Sequence, residues 1–265
     1  MSDDQAAGPS VLVERRAHVA VVTLNRPGSR NAVNADLSER LGAAVDQIER
    51  DPEIRAGILT GSGPVFCAGA DLKAAAAGKS NFSSRPDWGF AGLTRHIISK
   101  PLIAAVNGAA LGGGLEIVLS CDLAISSSAA TFGLPEVTRG IIAGAGGLVR
   151  LAEQMPHKLA LELALTGEPV TAARAAEIGL VNAVVEPDCL MAAALTLAER
   201  IVANAPLAVQ ASKRVVQRIV AGARPEESLG WALNQAEVAA LHGSHDWQEG
   251  PAAFAQKRPP VWTGR

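Results

Sequence analysis

The sequence predicts an α/β fold with a helical extension. Short β-type runs alternate with helix-period segments as far as Val185, and from Cys189 onward three helical segments follow with no strand pattern among them. Small residues dominate as well: there are 26 glycines, aromatics make up only 3% and tyrosine is absent, so elements must pack closely on small side chains.

Length and charge narrow the function classes. A chain of 265 residues can bury a sizeable core. A net charge of −2 gives no electrostatic case for nucleic acid or an anionic membrane as partner. No apolar run approaches the roughly 18–20 residues that a bilayer span needs. The start MSDDQAAGPS is acidic and polar, unlike a signal or transit peptide, and Cys67, Cys121 and Cys189 lack metal-type spacing. The expectation is a cytoplasmic globular protein. Without tyrosine, any mechanism built on a tyrosine acid is excluded.

Taken in order, Val11–Arg15 and Val19–Leu24 alternate as two strands around a turn at Ala17. Asp36–Arg50 carries apolar residues at helical spacing, with Asp36 read as the N-cap and Pro52 as the stop. Ala56–Thr60 is a buried strand. The small-residue stretch Val65–Asp71 is a turn leading into a helix over Leu72–Ala77, and 78–89 is a long loop. Ala91–Ser99 is expected to be helical, Leu102–Val106 a strand, 107–114 a glycine turn and Leu115–Ser120 a helix. Asp122–Ile125 and Ala130–Phe132 are strands, Gly133–Glu136 a turn and 140–147 a second glycine loop. Helices follow over Leu148–Glu153, Lys158–Leu165 and Thr171–Ile178, then a strand over Val181–Val185. Leu190–Asn204, Leu207–Val220 and Pro225–Leu241 complete the chain as helices, and Glu249–Arg258 reads as a solvated arm.

One region draws the chemistry together. Gly112, Gly113 and Gly114 follow a buried strand and precede a helix, whose unpaired N–H groups and positive dipole end suit an oxyanion. The spacing is not that of a dinucleotide site, and no Walker-type lysine follows. Glu116 and Glu136, 20 positions apart, both sit in apolar company at the ends of turns rather than on a charged face. Two such carboxyls beside a glycine turn suggest an acid/base pair tuned by its surroundings. Asp71 caps the helix after Ala68–Ala70, a turn that gains meaning only if a second backbone N–H donor is needed. His242, His245 and Asp246 lack a third partner, so packing outweighs metal binding; Cys67 reads as a buried thiol.

Several segments then resemble the enoyl-CoA hydratase (crotonase) family: NRP at 25–27, FCAGADL at 66–72, IAAVNGAALGGGLE at 103–116, CDLAI at 121–125, FGLPE at 132–136 and GAGG at 144–147. They occur in family order and nearly the whole chain is covered. The resemblance implies a flexible N-terminus at 1–10, a spiral of ββα units at 11–188 and a helical trimerisation region with the tail at 189–265, assembled as a homotrimer or dimer of trimers. It implies an oxyanion hole from the N–H groups of Ala70 and Gly113 for the carbonyl of an acyl-CoA thioester. Glu116 would activate water for attack at Cβ and Glu136 would deliver the proton to Cα. Arg26, Ala68, Asp71, Leu72 and Lys73 would line the coenzyme A site, with Phe254 and Lys257 matching tail positions that in relatives reach the coenzyme A of a neighbouring subunit.

Trp88, Phe90, Ala109 and Gly144 are assigned to the acyl pocket, and no metal or separate cofactor is implied. Ala109 stands where many relatives carry tyrosine, and Ala143 where proline is common. GFAGLT at 89–94 and the ending from Glu249 resemble the carnitinyl-CoA dehydratase branch, whose substrate bears a quaternary ammonium; Asp87, Trp88 and Phe90 could face such a cation. General enoyl-CoA hydration is the first expectation and this branch the alternative. An isomerase, needing one carboxylate, and a non-catalytic acyl-CoA-binding protein are further alternatives.

Overall fold

A computed structural model describes residues 8–72, 74, 78, 81 and 83–265. The chain steps repeatedly between two sheets. The larger has the order β1 (Val11–Arg16), β2 (Val19–Leu24), β3 (Ala56–Gly61), β5 (Leu102–Val106), β7 (Leu123–Ser127) and β10 (Ala183–Val185). The smaller has the order β4 (Val65–Cys67), β6 (Ala109–Leu111), β8 (Thr131–Gly133) and β9 (Val170–Thr171). Apart from the antiparallel pairs β1·β2 and β8·β9, neighbouring strands are parallel. Each of β3, β5 and β7 is followed at once by a strand of the smaller sheet, and α2 (Gly113–Ser120) follows β6. This is the ββα spiral that the resemblance implies.

The central strands β3 and β5 of the larger sheet are buried on both faces, as their apolar runs require, while β1 at its edge is largely exposed. On one side Val19, Val21, Ile58 and Ile103 pack with Leu190, Ala194 and Ala198 of α6 (Leu190–Val202). On the other lies the main core, where α1 (Ala35–Arg50) contributes Leu37, Leu41, Val45 and Ile48 at helical spacing. Helices α3 (Gly147–Gln154), α4 (His157–Thr166) and α5 (Ala172–Glu177) precede α6, and α7 (Pro206–Val216), α8 (Glu227–His242) and α9 (His245–Ala255) complete the chain.

Several expectations are corrected. The N-cap of α1 is Asn34, whose side chain accepts from Leu37 N, and Asp36 lies inside the first turn. Val65–Cys67 and Ala109–Leu111 are strands within stretches read as turns, because strands of 3 residues are too short to show an alternation. Residues 91–99 form turns instead of a helix: Gly89, Ala91 and Gly92 all have φ near +57 to +70°, which a right-handed helix cannot contain. The arm expected at Glu249–Arg258 is, as far as Ala255, part of the helix α9, which is capped by Ser244 and tolerates Pro251. The helix expected at 72–77 lies largely outside the described residues, although Asp71 Oδ1 accepts from Ala74 N at 3.1 Å, as a cap would.

Helix α7 is tied to the larger sheet by a half-buried polar knot. Asp122 Oδ2 accepts from Leu102 N at the start of β5 and from Lys213 Nζ, each at 2.7 Å. Asp122→Ala should therefore destabilise the protein by about 3 kcal/mol, since it strands a strand N–H and an ammonium together. Urea unfolding checks this, and a loss under about 1 kcal/mol would show that water replaces the carboxylate freely.

Candidate active site

The glycine triplet builds the centre through close approaches. Gly112 precedes α2 with φ +56°, and a Cβ there would lie 2.9 Å from Glu136 Oε1. A Cβ on Gly113 would meet the Phe90 ring at 2.4 Å, and one on Gly114 would meet the Cys67 carbonyl at 2.1 Å. Bare backbone at these positions lets a carboxyl, an aromatic ring and the end of β4 converge on one helix N-terminus.

The N–H groups of Ala70 and Gly113 come from the two segments joined there. A Cβ on Gly69 would lie 3.1 Å from Gly113 N, so the 68–70 turn abuts the start of α2. The bridge between Val33 and Ala70 uses the Gly69 carbonyl and the Asp71 N–H, each at 2.8 Å, which leaves Ala70 N outside the pairing. Gly113 is the first residue of α2, where no intrahelical acceptor exists. Such a donor pair can polarise a carbonyl.

Glu116 lies in the first turn of α2 and is 3% exposed. Its Oε1 accepts from Ala145 N at 2.7 Å and Gly147 N at 2.8 Å, both from the second glycine loop. Burial pushes its pKa up to about 7, against the pull of these two N–H groups and the Arg150 guanidinium. Glu136 sits in a 3-10 turn, Pro135–Arg139, that follows β8. Its Oε2 is buried and, among the described residues, has no hydrogen-bond partner. Burial first, and then the charge of Glu116, push its pKa up to about 8. Two donors thus offset part of the cost of burying the Glu116 anion, while Glu136, with no such pair, keeps its proton more readily.

Beside Glu136 opens an apolar cavity of about 280 Å³ between the Pro135–Arg139 turn, α3 and α4. Leu134, Ile142, Ala143, Leu148 and Leu161 line it, with His157 also on its wall. Of these positions sequence reading singled out Ala143; for Leu148 the apolar face of α3 was the only signal.

The remaining expected site residues are spread around this centre. Phe90 covers Gly113, whereas the Trp88 ring lies on Gly42 of α1, between the Arg85 guanidinium and the stacked His96 ring, and does not line the cavity. Ala109 is half-buried on β6, paired with Val65. Gly144 is exposed, with Val238 of α8 its nearest side chain. Arg26 Nη1 donates to Asp71 Oδ2 at 3.0 Å, both largely buried, while Ala68 and Leu72 are exposed beside them. Lys73 lies outside the described residues. Phe254 of α9 is partly exposed with the Arg139 guanidinium 4.0 Å from its ring centre, and Lys257 is exposed just beyond. Helix α9 therefore packs on the Glu136-bearing turn of its own chain. Cys67 is fully buried, which pushes its thiol up to about 12. Among the described residues no His, Cys, Asp and Glu group is placed to hold a metal ion.

Sequence reading missed Arg150 and Glu227, a buried ion pair with contacts of 3.2 and 3.0 Å. The one available signal was an arginine amid the apolar residues of α3.

Comparison with known proteins places these features in context. The enoyl-CoA hydratase/isomerase family profile matches residues 14–265. The chain is 41% identical to the enoyl-CoA hydratase EchA19 of Mycobacterium tuberculosis over 98% of both chains. It is also 41% identical to the carnitinyl-CoA dehydratase of Proteus mirabilis, over 97% of this chain and 99% of that one. The crystal structure of a carnitinyl-CoA hydratase from Mycobacterium avium superimposes with a TM-score of 0.96 at 52% identity, covering 97% of this chain and all of that one.

Proposed function

The chain belongs to the enoyl-CoA hydratase/isomerase family, and from that premise we propose that it is a hydro-lyase adding water across the 2,3-double bond of an enoyl-CoA thioester. The observation that carries this reading is the pairing of two carboxyls of unlike environment, Glu116 under two N–H donors and Glu136 with a buried Oε2, beside the Ala70 and Gly113 N–H groups, which have no backbone partner among the described residues.

The geometry supports one division of labour. The thioester carbonyl accepts from Ala70 and Gly113, which draws electrons from Cβ and stabilises the enolate that forms. Glu116, anionic under its two N–H donors, takes a proton from water as the oxygen bonds to Cβ. Glu136, protonated, gives its proton to Cα. All the polarising, basic and acidic groups belong to the protein, and coenzyme A enters as part of the substrate. Arg26, Asp71 and the 68–73 turn would hold the coenzyme, with Phe254 and Lys257 at the tail. Exposed Leu207, Val215, Val216 and Val220 on and after α7 support assembly into a trimer or a dimer of trimers. Among the described residues no single helix is long and apolar enough to cross a membrane, consistent with the cytoplasmic placement we favour.

The assay is hydration of crotonyl-CoA, read as loss of enoyl absorbance and uptake of labelled water into a 3-hydroxyacyl product. A product that keeps its double bond would instead make the protein an isomerase, and tight binding without turnover would make it a binding protein. Crotonobetainyl-CoA is the second substrate to compare, because of the resemblance to the M. avium carnitinyl-CoA hydratase. The apolar cavity wall, with no Phe or Trp ring and no carboxylate besides Glu136, favours an uncharged acyl group.

The pH profile of kcat/KM should be a narrow bell. Below about 7 Glu116 gains a proton and the base is lost, and above about 8 Glu136 ionises and the donor is lost. The two limbs belong to the coupled pair. A rate that stays flat from roughly pH 6 to pH 9 would contradict these roles.

A further inference from the structure

Helix α8 reaches the loop that holds Glu116. Gly146 separates Ala145 from Gly147, the two residues whose N–H groups bind the Glu116 carboxylate. Gly146 has φ +99°, and a Cβ built on it would meet Trp231 Cη2 and Cζ2, each at 2.7 Å. The indole edge therefore lies on the stretch of backbone between the two donors. A second bond, from Asn234 Nδ2 to the Ala143 carbonyl at 2.9 Å, fixes the same loop to the same helix.

Trp231 is itself held from behind. Its Nε1 donates to Glu227 Oε2 at 2.9 Å, and the Arg95 guanidinium stacks 4.1 Å from its ring centre. Glu227, 6% exposed, also accepts from Arg150 and from Arg224. Arg150, 4% exposed, donates in turn to Ser120 Oγ at 2.8 Å, and Ser120 Oγ donates to the Glu116 carbonyl at 2.7 Å. Its Nη2 reaches the Thr94 carbonyl at 2.7 Å, on the loop that carries Phe90. Removing one partner of a buried network leaves the others uncompensated, so this arrangement has little freedom to drift.

We propose that Trp231 is a positioning residue for Glu116: backed by Glu227 and Arg150, its ring presses the Ala145–Gly147 backbone into the geometry that aims both N–H groups at the carboxylate. The proposal rests on the reading of Glu116 as the base. A tryptophan that merely filled space would lower stability and leave the titration of Glu116 unchanged. One that holds the donors also controls how readily Glu116 ionises, because the two bonds favour the anion. The charged groups facing Glu116 are Arg150 on α3, whose guanidinium lies 5.6 Å from the Trp231 ring centre, and Glu136 on the Pro135–Arg139 turn, and both charges are retained in a variant at residue 231.

The test compares Trp231→Ala and Trp231→Leu with Leu190→Ala, a core change on α6 across the larger sheet. With crotonyl-CoA, both Trp231 variants should lose about 10- to 100-fold in kcat with KM changed less than about threefold. The acidic limb of kcat/KM should move to higher pH by about one unit, as weaker N–H bonds leave the carboxylate easier to protonate. Leu190→Ala should lower the melting temperature without moving that limb. If the Ala variant does not fold, the Leu variant, which keeps bulk but lacks the reach of the ring, decides the matter. A pH profile in the Trp231 variants that superimposes on the parent's overturns the proposal. Glu116→Gln separates the two readings: if it stays active, the assignment of the base fails, whatever the Trp231 variants do.

Discussion

Glu116→Gln and Glu136→Gln should each lower kcat for crotonyl-CoA hydration by about 10³-fold, with KM nearly unchanged, and the double variant should be little worse than either single one. Each amide keeps the volume of the carboxyl it replaces. At position 116 the amide carbonyl can still accept from Ala145 and Gly147, so the loop holds while the base is gone. At position 136 the amide removes the transferable proton. In the proposed roles the two residues act on the same double bond, so losing the second adds little once the first is absent. Stopped-flow absorbance with saturating substrate separates kcat from KM. Either single variant turning over at the parental rate would remove that residue from the chemistry.

The same pair predicts a stability difference of opposite sense. Both carboxyls have folded-state pKa values raised above the ordinary 4.5, to about 7 and about 8. A raised value favours folding below the unfolded pKa, and that contribution is lost as pH rises through the folded value. Glu136, whose Oε2 has no partner among the described residues, should therefore destabilise the parent increasingly between about pH 4.5 and pH 8. Glu136→Gln should melt higher than the parent above pH 8, and a lower melting temperature there would contradict the account.

Gly113→Ala is the second large effect. The new methyl would meet the Phe90 ring at 2.4 Å, too close for either group to remain in place. Since Gly113 is the first residue of α2, the displacement moves its N–H away from the carbonyl it should bind. Loss of one such donor costs about 10²- to 10³-fold in kcat. Phe90→Ala opens the space, so the double variant Gly113→Ala/Phe90→Ala should recover most of the lost rate. Near-parental activity in Gly113→Ala alone would show that the ring yields freely and that the oxyanion donor lies elsewhere.

How much of this was legible in the sequence depends on the reach of each signal. Strands such as Leu102–Val106 and the amphipathic α1 declare themselves through local period, and they form where that period places them. The glycine triplet and Glu116 lie within five residues of one another, so a helix start with a carboxyl in its first turn could be read directly. The turns at 91–99 could not, because left-handed backbone at Ala91 is imposed by packing and leaves no mark on residue type. Trp88 drew attention as an aromatic in a loop, yet its ring is claimed by Gly42 of α1. Arg150, Glu227 and Trp231 were out of reach for another reason: Arg150 meets Glu227, and Trp231 meets Gly146, only when the folded molecule brings α3 and α8 together.

The contacts made by α8 and α9 also set an order of events in the life of the chain. Synthesis from the N-terminus lays down both glutamates and the glycine loop well before residues 227–255 emerge. Until those helices dock, the loop lacks Trp231 at Gly146 and the turn that carries Glu136 lacks the cover of α9. The contacts of α8 at Gly146 and of α9 on the Glu136-bearing turn are thus the last parts of the candidate site to be completed.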